Sequence, residues 1–446
     1  GVQSLSSAGC LKRISFSKNI SASATRNRCD LRIDPIPLLS DRPVTIPTPH
    51  HYITSATGLS ELCEQLKDSP RLALDTEFVG EDSFVPKLEL IQVATERTAA
   101  IIDFPAVQSN EALDTFWEIV CDPGVEKVVH AGRQDLDLFA VHAGQIPKPF
   151  FDTQIAAAMV GFGSQVAYAN LVQRVHGKKL DKAHTFTNWS ARPLSHEQLA
   201  YALEDVTFLL AIHDHLHSRL SKLGRLLWAH EEFARLEGVV SETRREPQER
   251  YQRIRGWDQL KPKSAAILRE LAAWREGEAK RRNVPRSRVV RDEVLLQLAR
   301  HPPRQMDELR KVRGLHSSEA DRNGEILLNI IQAAMALPPS AWPVLSKERK
   351  PEPESTGLVE LLQALVKACA LKAEIAPTLL ATTADLQALV DAKTDRAALE
   401  LPLLRGWRRM LVGDVLLDAL EGKLAVTVDP NILAVRWSPS DEISDS

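Results

Sequence analysis

Two carboxylates stand two residues apart at the end of an apolar run, Leu72-Ala73-Leu74-Asp75-Thr76-Glu77-Phe78. Side chains alternate along a strand, so Asp75 and Glu77 point to the same side. Carboxylates forced together repel and raise each other's pKa unless a cation neutralises them. A hard divalent ion that prefers oxygen ligands, Mg²⁺ or Mn²⁺, is the simplest such cation. An isolated D-x-E is more often a solvated strand end, so the rest of the chain has to decide. Asp135 follows a second apolar run, Lys127-Val128-Val129-His130, in the first turn of a predicted helix. Ligands of open α/β sheets gather at that carboxyl edge, although the helix dipole alone also favours an aspartate there. Asp137, flanked by aliphatic residues, is the rival choice. Tyr201 and Asp205 lie four apart on a later predicted helix and share one face.

The elements that must position these groups follow from periodicity. A helix is predicted over 57–67 with Ser60 as its cap, followed by strands over 71–78, 88–94 and 99–103 that read as a meander. A helix over 110–120, a buried strand over 127–130 and a helix over 133–142 give β–α–β–α alternation. That pattern predicts an α/β layer fold with a mixed sheet. Asp152 reads as the N-cap of an alanine-rich helix. Ser195 and Gln198 form a capping box for the helix that carries Tyr201. His213, His215 and His217 alternate along a helix, which scatters them around its axis, so a solvated face is expected there and no metal site.

The chain has 446 residues, which suggests about three domains. A hydrophobic content of 44% supplies a sizeable core, and a formal charge of −3 excludes a uniformly basic nucleic-acid coat but leaves room for a local basic patch. Five scattered cysteines, none in a C-x-x-C pair, argue against a zinc site and a disulfide framework and fit a reducing, cytoplasmic setting. No apolar run is long enough to span a membrane. The stretch Gly161-Phe162-Gly163-Ser164-Gln165-Val166 lacks the last glycine of a dinucleotide fingerprint. There is no G-x-S-x-G elbow and no phosphate-cradling G-x-x-x-x-G-K.

The expected organisation is a disordered or leader extension over 1–45, a catalytic α/β domain over 46–220 and a helical connector over 221–255. A helical domain over 256–336, a Pro-, Lys- and Glu-rich linker over 337–356, a second helical domain over 357–428 and a structureless tail over 429–446 complete it. The two helical domains carry a weak repeat. Pro285 and Pro377 are 92 residues apart, as are Gly314 and Gly406. A basic segment, Lys280 to Arg286, sits in the first of them.

The D-x-E after an apolar run, the aspartate in the H-A-x-x-x-D context and the Y-x-x-x-D on a late helix resemble the three motifs of DEDD-class exonucleases, tyrosine subtype. The flanks Lys87-Leu88-Glu89-Leu90-Ile91-Gln92, Asp152-Thr153-Gln154, Leu180-Asp181-Lys182 and Trp189 to Leu194 resemble ribonuclease D. The two helical units resemble its helicase-and-ribonuclease-D C-terminal (HRDC) domains. One departure stands out. Where the family often carries an arginine and a Thr-Tyr pair, this chain has Gly80-Glu81-Asp82-Ser83-Phe84-Val85-Pro86.

The resemblance implies a ribonuclease H-like 3′→5′ exonuclease domain followed by two small all-α domains. It implies an exoribonuclease that uses two divalent ions, Mg²⁺ or Mn²⁺, and trims the 3′ ends of tRNA precursors and other structured RNAs to 5′-mononucleotides. Asp75, Glu77, Asp135 and Asp205 are the implied metal ligands, with Asp75 bridging. Tyr201, whose phenol stays protonated at neutral pH, is the implied orienter of the attacking water. Thr76, Phe78, Gln92, His130 and Arg192 are expected to contact substrate, although for Phe78 a place in the core is an equal alternative. A 3′→5′ DNA exonuclease and a non-catalytic RNA-binding protein of the same fold are the competing expectations.

Overall fold

The structure, a computed structural model, describes residues 50–440 apart from 81, 110, 181–186, 243–246, 345–352, 393–395, 397–398 and 432–433. The expected leader, the Asp181-Lys182 part of one flank, Glu81 and the middle of the expected linker lie outside the described residues.

The sheet runs in the order β1-β4-β3-β2-β5-β6, formed by His50–Ile53 (β1), Arg71–Val79 (β2), Lys87–Ala94 (β3), Ala99–Asp103 (β4), Glu126–Val129 (β5) and Phe150–Asp152 (β6). β2, β3 and β4 form the antiparallel meander, while β1 on β4, β5 on β2 and β6 on β5 are parallel, so the sheet is mixed. Helices Ala56–Leu66 (α1), Ala112–Cys121 (α2) and Arg133–His142 (α3) follow their strands in turn. Ser55, not Ser60, caps α1 by accepting from the backbone N–H of Gly58. The helix begins at Ala56, one residue before the expected start, so Ser60 lies inside it.

Strand β2 divides two cores. Leu72 and Leu74 join Leu59, Leu62, Phe116, Trp117 and Phe139 on one side. Ala73 joins Leu90, Val128, Trp189, Leu203 and Val206 on the other. The last two belong to His196–Thr207 (α6), which follows the short helices Thr153–Ala158 (α4) and Tyr168–His176 (α5). Strand alternation therefore sends Asp75 and Glu77, which share the parity of Ala73, toward α6.

The expected connector does not exist as a separate body. Leu226–Glu242 (α8), which follows Leu209–Lys222 (α7), packs Phe233 on Phe150 and Phe151, with ring centroids 6.1 and 5.1 Å apart. Tyr251 and Ile254 instead join the core of the first helical domain, with Leu268, Leu271, Leu295 and Leu327. That domain comprises Pro262–Arg282 (α9), Arg286–Val289 (α10), Asp292–Arg300 (α11) and Ser317–Met335 (α12). Pro353–Lys372 (α13), Pro377–Leu380 (α14) and Thr383–Asp391 (α15) repeat α9, α10 and α11, each starting 91 residues later (353 − 262, 377 − 286, 383 − 292). Gly314 and Gly406 both adopt positive φ, 87° and 51°, at the turn into the last helix of each copy.

Part of the expected tail is ordered. Ala434–Pro439 pairs antiparallel with Leu424–Asp429. The alternating Val435-Arg436-Trp437 is a short strand pattern, hidden in the sequence by the serines and acids that follow it.

Candidate active site

Asp75 lies opposite Gln92 across the β2–β3 ladder, and Glu77 opposite Leu90. Asp205 comes from the last turn of α6, with Tyr201 one turn before it. The capping box that starts α6 is formed as expected: Ser195 Oγ accepts from the N–H of Gln198 at 3.2 Å, and the Gln198 side chain accepts from the N–H of Ser195 at 2.9 Å. Asp135 opens α3 and is buried. The hydroxyl of Thr76 donates to its carboxylate.

The turn that presents Asp135 has its own supports. Asp152 caps α4 by accepting from Gln154 and Ile155, and also accepts from the backbone N–H groups of Ala131 and Gly132, at 3.3 and 2.9 Å. A Cβ on Gly132 would meet Val129 Cγ2 at 2.5 Å, so only glycine lets the chain turn this tightly from β5 into α3.

All four carboxyl groups are pushed up from their ordinary range. Asp75 is held well above it by burial first and then by the charges of Asp135, Asp205 and Glu77. Burial, with Asp205 and Asp135 adding to it, raises Glu77 to about 8. Burial, Glu204 and Asp135 raise Asp205 to about 7. Burial raises Asp135 to about 6, against the opposing hydrogen bond from Thr76. The charges of Asp135 and Asp205 thus reach both Asp75 and Glu77, and that of Asp135 reaches Asp205, while the charge acting on Asp135 itself is that of Asp152. A cluster of this kind binds protons or a hard cation. The all-oxygen donor set fits divalent Mg²⁺ or Mn²⁺. Among the described residues no three Asp, Glu, His or Cys side chains stand in a chelating arrangement.

Tyr168 has no counterpart in the sequence reading. Its buried hydroxyl donates to the carbonyl of Glu204 at 3.0 Å and accepts from the N–H of Phe208 at 3.3 Å, gripping the end of α6 on both sides of Asp205. Burial, with the charges of Asp205 and Asp75, holds its phenol protonated. No spacing rule finds it, because it acts on backbone groups from a different helix. Trp189 supports Tyr201, with ring centroids 6.2 Å apart.

The five residues expected to contact substrate are placed differently from one another. Gln92 is fully buried beside Asp75, and its amide has no protein partner among the described residues. Thr76 is turned to Asp135. Phe78 packs, partly buried, against the core beneath the sheet. His130 is tied to Thr153 Oγ1 at 2.9 Å and the Val166 carbonyl at 3.0 Å. Arg192 grips Asp103 with two nitrogens, at 2.6 and 2.9 Å, and bonds the carbonyl of Trp189 at 2.6 Å. The last two are engaged with the protein itself and brace the loops around the site. The histidines of α7 also differ from expectation: His213 is buried, not solvated, because Glu126 and Asp214 pair with it at 3.1 and 3.0 Å.

Comparison with known proteins bears on the fold and the family. Residues 50–221 match the family model described as 3′-5′ exonuclease, and residues 264–331 match the HRDC domain. The ribonuclease D of Gluconacetobacter diazotrophicus is 39% identical over 84% of this chain and 94% of its own length. That of Zymomonas mobilis is 38% identical over 86% and 98%. The crystal structure of Escherichia coli RNase D superposes with a TM-score of 0.74 at 31% identity, covering 84% of this chain and 99% of that one. Exonuclease domains of this type depend on divalent metal. With such identity over most of both partners' lengths, the chain belongs to the ribonuclease D family of 3′→5′ exoribonucleases, which act on RNA.

Proposed function

We propose that this chain is a cytoplasmic, two-metal exoribonuclease that trims the 3′ ends of tRNA precursors and other structured RNAs, one 5′-mononucleotide at a time. The observation that carries the reading is the convergence of Asp75 and Glu77 on one face of β2, Asp205 on the facing α6 and Asp135 at the start of α3, tied to β2 through Thr76. Bound there, two divalent ions would activate a water at neutral pH and stabilise the leaving oxygen. Asp75, Glu77, Asp135 and Asp205 would hold the ions. Tyr201 orients the attacking water through its protonated phenol. Thr76 keeps Asp135 aimed and lowers its pKa toward the charged form. Tyr168 fixes the turn of α6 from which Asp205 projects. The free thiols Cys63, Cys121 and Cys369 suit a reducing compartment, and no helix among the described residues is long and apolar enough to cross a membrane.

The test is hydrolysis of 5′-labelled RNA and DNA, each with a free or blocked 3′ end, in Mg²⁺, Mn²⁺ or chelator. The expected products are a ladder from free-ended RNA with metal, and none from blocked ends or in chelator. Cleavage of circular RNA, or preference for DNA, counts against the reading. A tRNA precursor with a short 3′ trailer, compared with an unstructured RNA of equal length, tests the substrate class.

A further inference from the structure

The first helical domain holds a cavity of about 570 Å³ where it meets the segment 250–254. Five arginines line it: Arg250, Arg253, Arg275, Arg286 and Arg291. Its carboxylates are only three, Glu276, Asp292 and Glu293, so the lining carries an excess of two positive charges. Two of the carboxylates, Glu276 and Asp292, are already engaged. Arg286 grips Glu276 with two nitrogens at 2.5 and 2.6 Å, and Arg275 binds Asp292 at 2.7 Å.

Arg275 is 6% exposed, and its Nε has no partner among the described residues. Arg253 and Arg291 are exposed at the rim, and neither has an ion-pair partner among the described residues. Burial and the neighbouring guanidiniums of Arg286 and Arg253 push Arg250 down from its ordinary range, against the pull of Glu276. Guanidiniums crowded beyond their own counter-charges form a site for a doubly charged or twice-contacted oxyanion, and planar forked donors match phosphate oxygens.

We propose that this cavity is a phosphate-binding site, with Arg253 and Arg291 as the primary ligands and Arg275 behind them. Its occupant is a phosphodiester of bound RNA or the phosphate of a free nucleotide. The first source rests on the exoribonuclease reading above. The site also adjoins the catalytic domain. Arg286 lies over the Phe84 ring at 4.5 Å, and Arg288 pairs with Asp82. Both contacts fall on the loop that follows β2, where the sequence has no basic residue of its own.

The experiment uses the full chain with Arg253→Gln and Arg291→Gln, singly and together, and Arg304→Gln as an exposed control outside the cavity. Binding of a labelled single-stranded RNA is measured by anisotropy in chelator at several salt concentrations, and binding of 5′-AMP and inorganic phosphate by calorimetry. For an RNA phosphodiester, the double variant should bind RNA about tenfold more weakly, with a salt slope shallower by about one to two units. The Arg304 control should change less than twofold. For a free phosphate, the double variant should lose AMP and phosphate binding and leave the RNA slope alone. Unchanged RNA affinity and slope, with no phosphate or AMP binding by wild type, overturns the proposal. Loss in the Arg304 control equal to that of the double variant also overturns it, since a diffuse surface charge would then suffice. Arg253→Lys with Arg291→Lys keeps the charge without the fork, and should retain the salt slope if a fold defect is not the cause. Because binding is read without metal, failure of wild type to degrade RNA would sink the enzymatic reading separately.

Discussion

The hydroxyl of Thr76 donates to the carboxylate of Asp135 across 59 residues of sequence. This one bond ties the strand that carries Asp75 and Glu77 to the helix that carries Asp135. A hydrogen bond to a charged group is worth about 1.5–3 kcal/mol. Thr76→Val keeps the volume and removes the donor. It should lower kcat about tenfold or more, raise the Mg²⁺ concentration for half-maximal rate, and shift the acidic limb of the rate profile to higher pH, because Thr76 opposes the rise of Asp135. Thr76→Ser should restore all three. An unchanged metal requirement would show that the bond is incidental.

Asp75→Asn and Asp135→Asn each remove charge from the site with little change in volume. Each should abolish hydrolysis and leave the fold and RNA binding in place, as judged by circular dichroism and by anisotropy in chelator. Near-normal turnover by Asp135→Asn would transfer its role to Asp137.

The site should also govern stability against pH. The folded pKa values of Asp135, Asp205 and Glu77, about 6, 7 and 8, exceed the roughly 4 of these groups in an unfolded chain. The folded chain therefore binds more protons than the unfolded one in that window, and stability falls as pH rises through it. Metal held by the same carboxylates would compete with those protons. In chelator, Tm should drop between pH 5 and pH 8. Mg²⁺ or Mn²⁺ should raise Tm strongly at pH 8 and hardly at pH 5. A metal-induced shift as large at pH 5 as at pH 8 would contradict this account.

Arg408, 1% exposed, pairs with Glu231 at 3.0 Å and with buried Glu232, and donates to the carbonyl of Leu379 at 2.8 Å. Removing one partner of a buried pair costs about 3–5 kcal/mol, chiefly because the other charge stays buried. Arg408→Met should lower Tm by several degrees, and adding Glu232→Gln should recover much of the loss. Two losses that simply add would mean that the pair is not coupled.

Much of the catalytic layer was legible because its elements obey simple periods. The strands of the meander and α3 fall where alternation and apolar spacing put them, and both the Asp152 cap and the Ser195–Gln198 box are formed. What escaped depends on distant partners. Tyr168 reaches Asp205 only through the backbone of α6. Arg192 looked available until Asp103, 89 residues away, took its fork. His213 looked solvated until β5 supplied Glu126. The connector dissolved because Phe233 finds Phe151 and Tyr251 finds Trp257, pairings that local sequence does not encode.

The duplicated helical copies meet the catalytic domain through joints of different burial. The second copy is fastened by main-chain contacts, with the N–H of Ala376 on the carbonyl of Ala158 at 2.8 Å and Arg225 spanning the carbonyls of Met159 and Ala373. Trp228 stacked on Trp407 and the sunken Arg408 complete that seam. In the first copy the position 92 residues before Arg408 is His316, which faces solvent, and Arg288 meets Asp82 with both side chains mostly exposed. Exposed pairs are weak and screened by salt. The first copy is also held by Phe84, which packs partly buried against its core beneath Arg286, whereas the second is held by buried and main-chain contacts. Displacement by a bulky substrate is therefore expected first at the exposed contacts of the first copy.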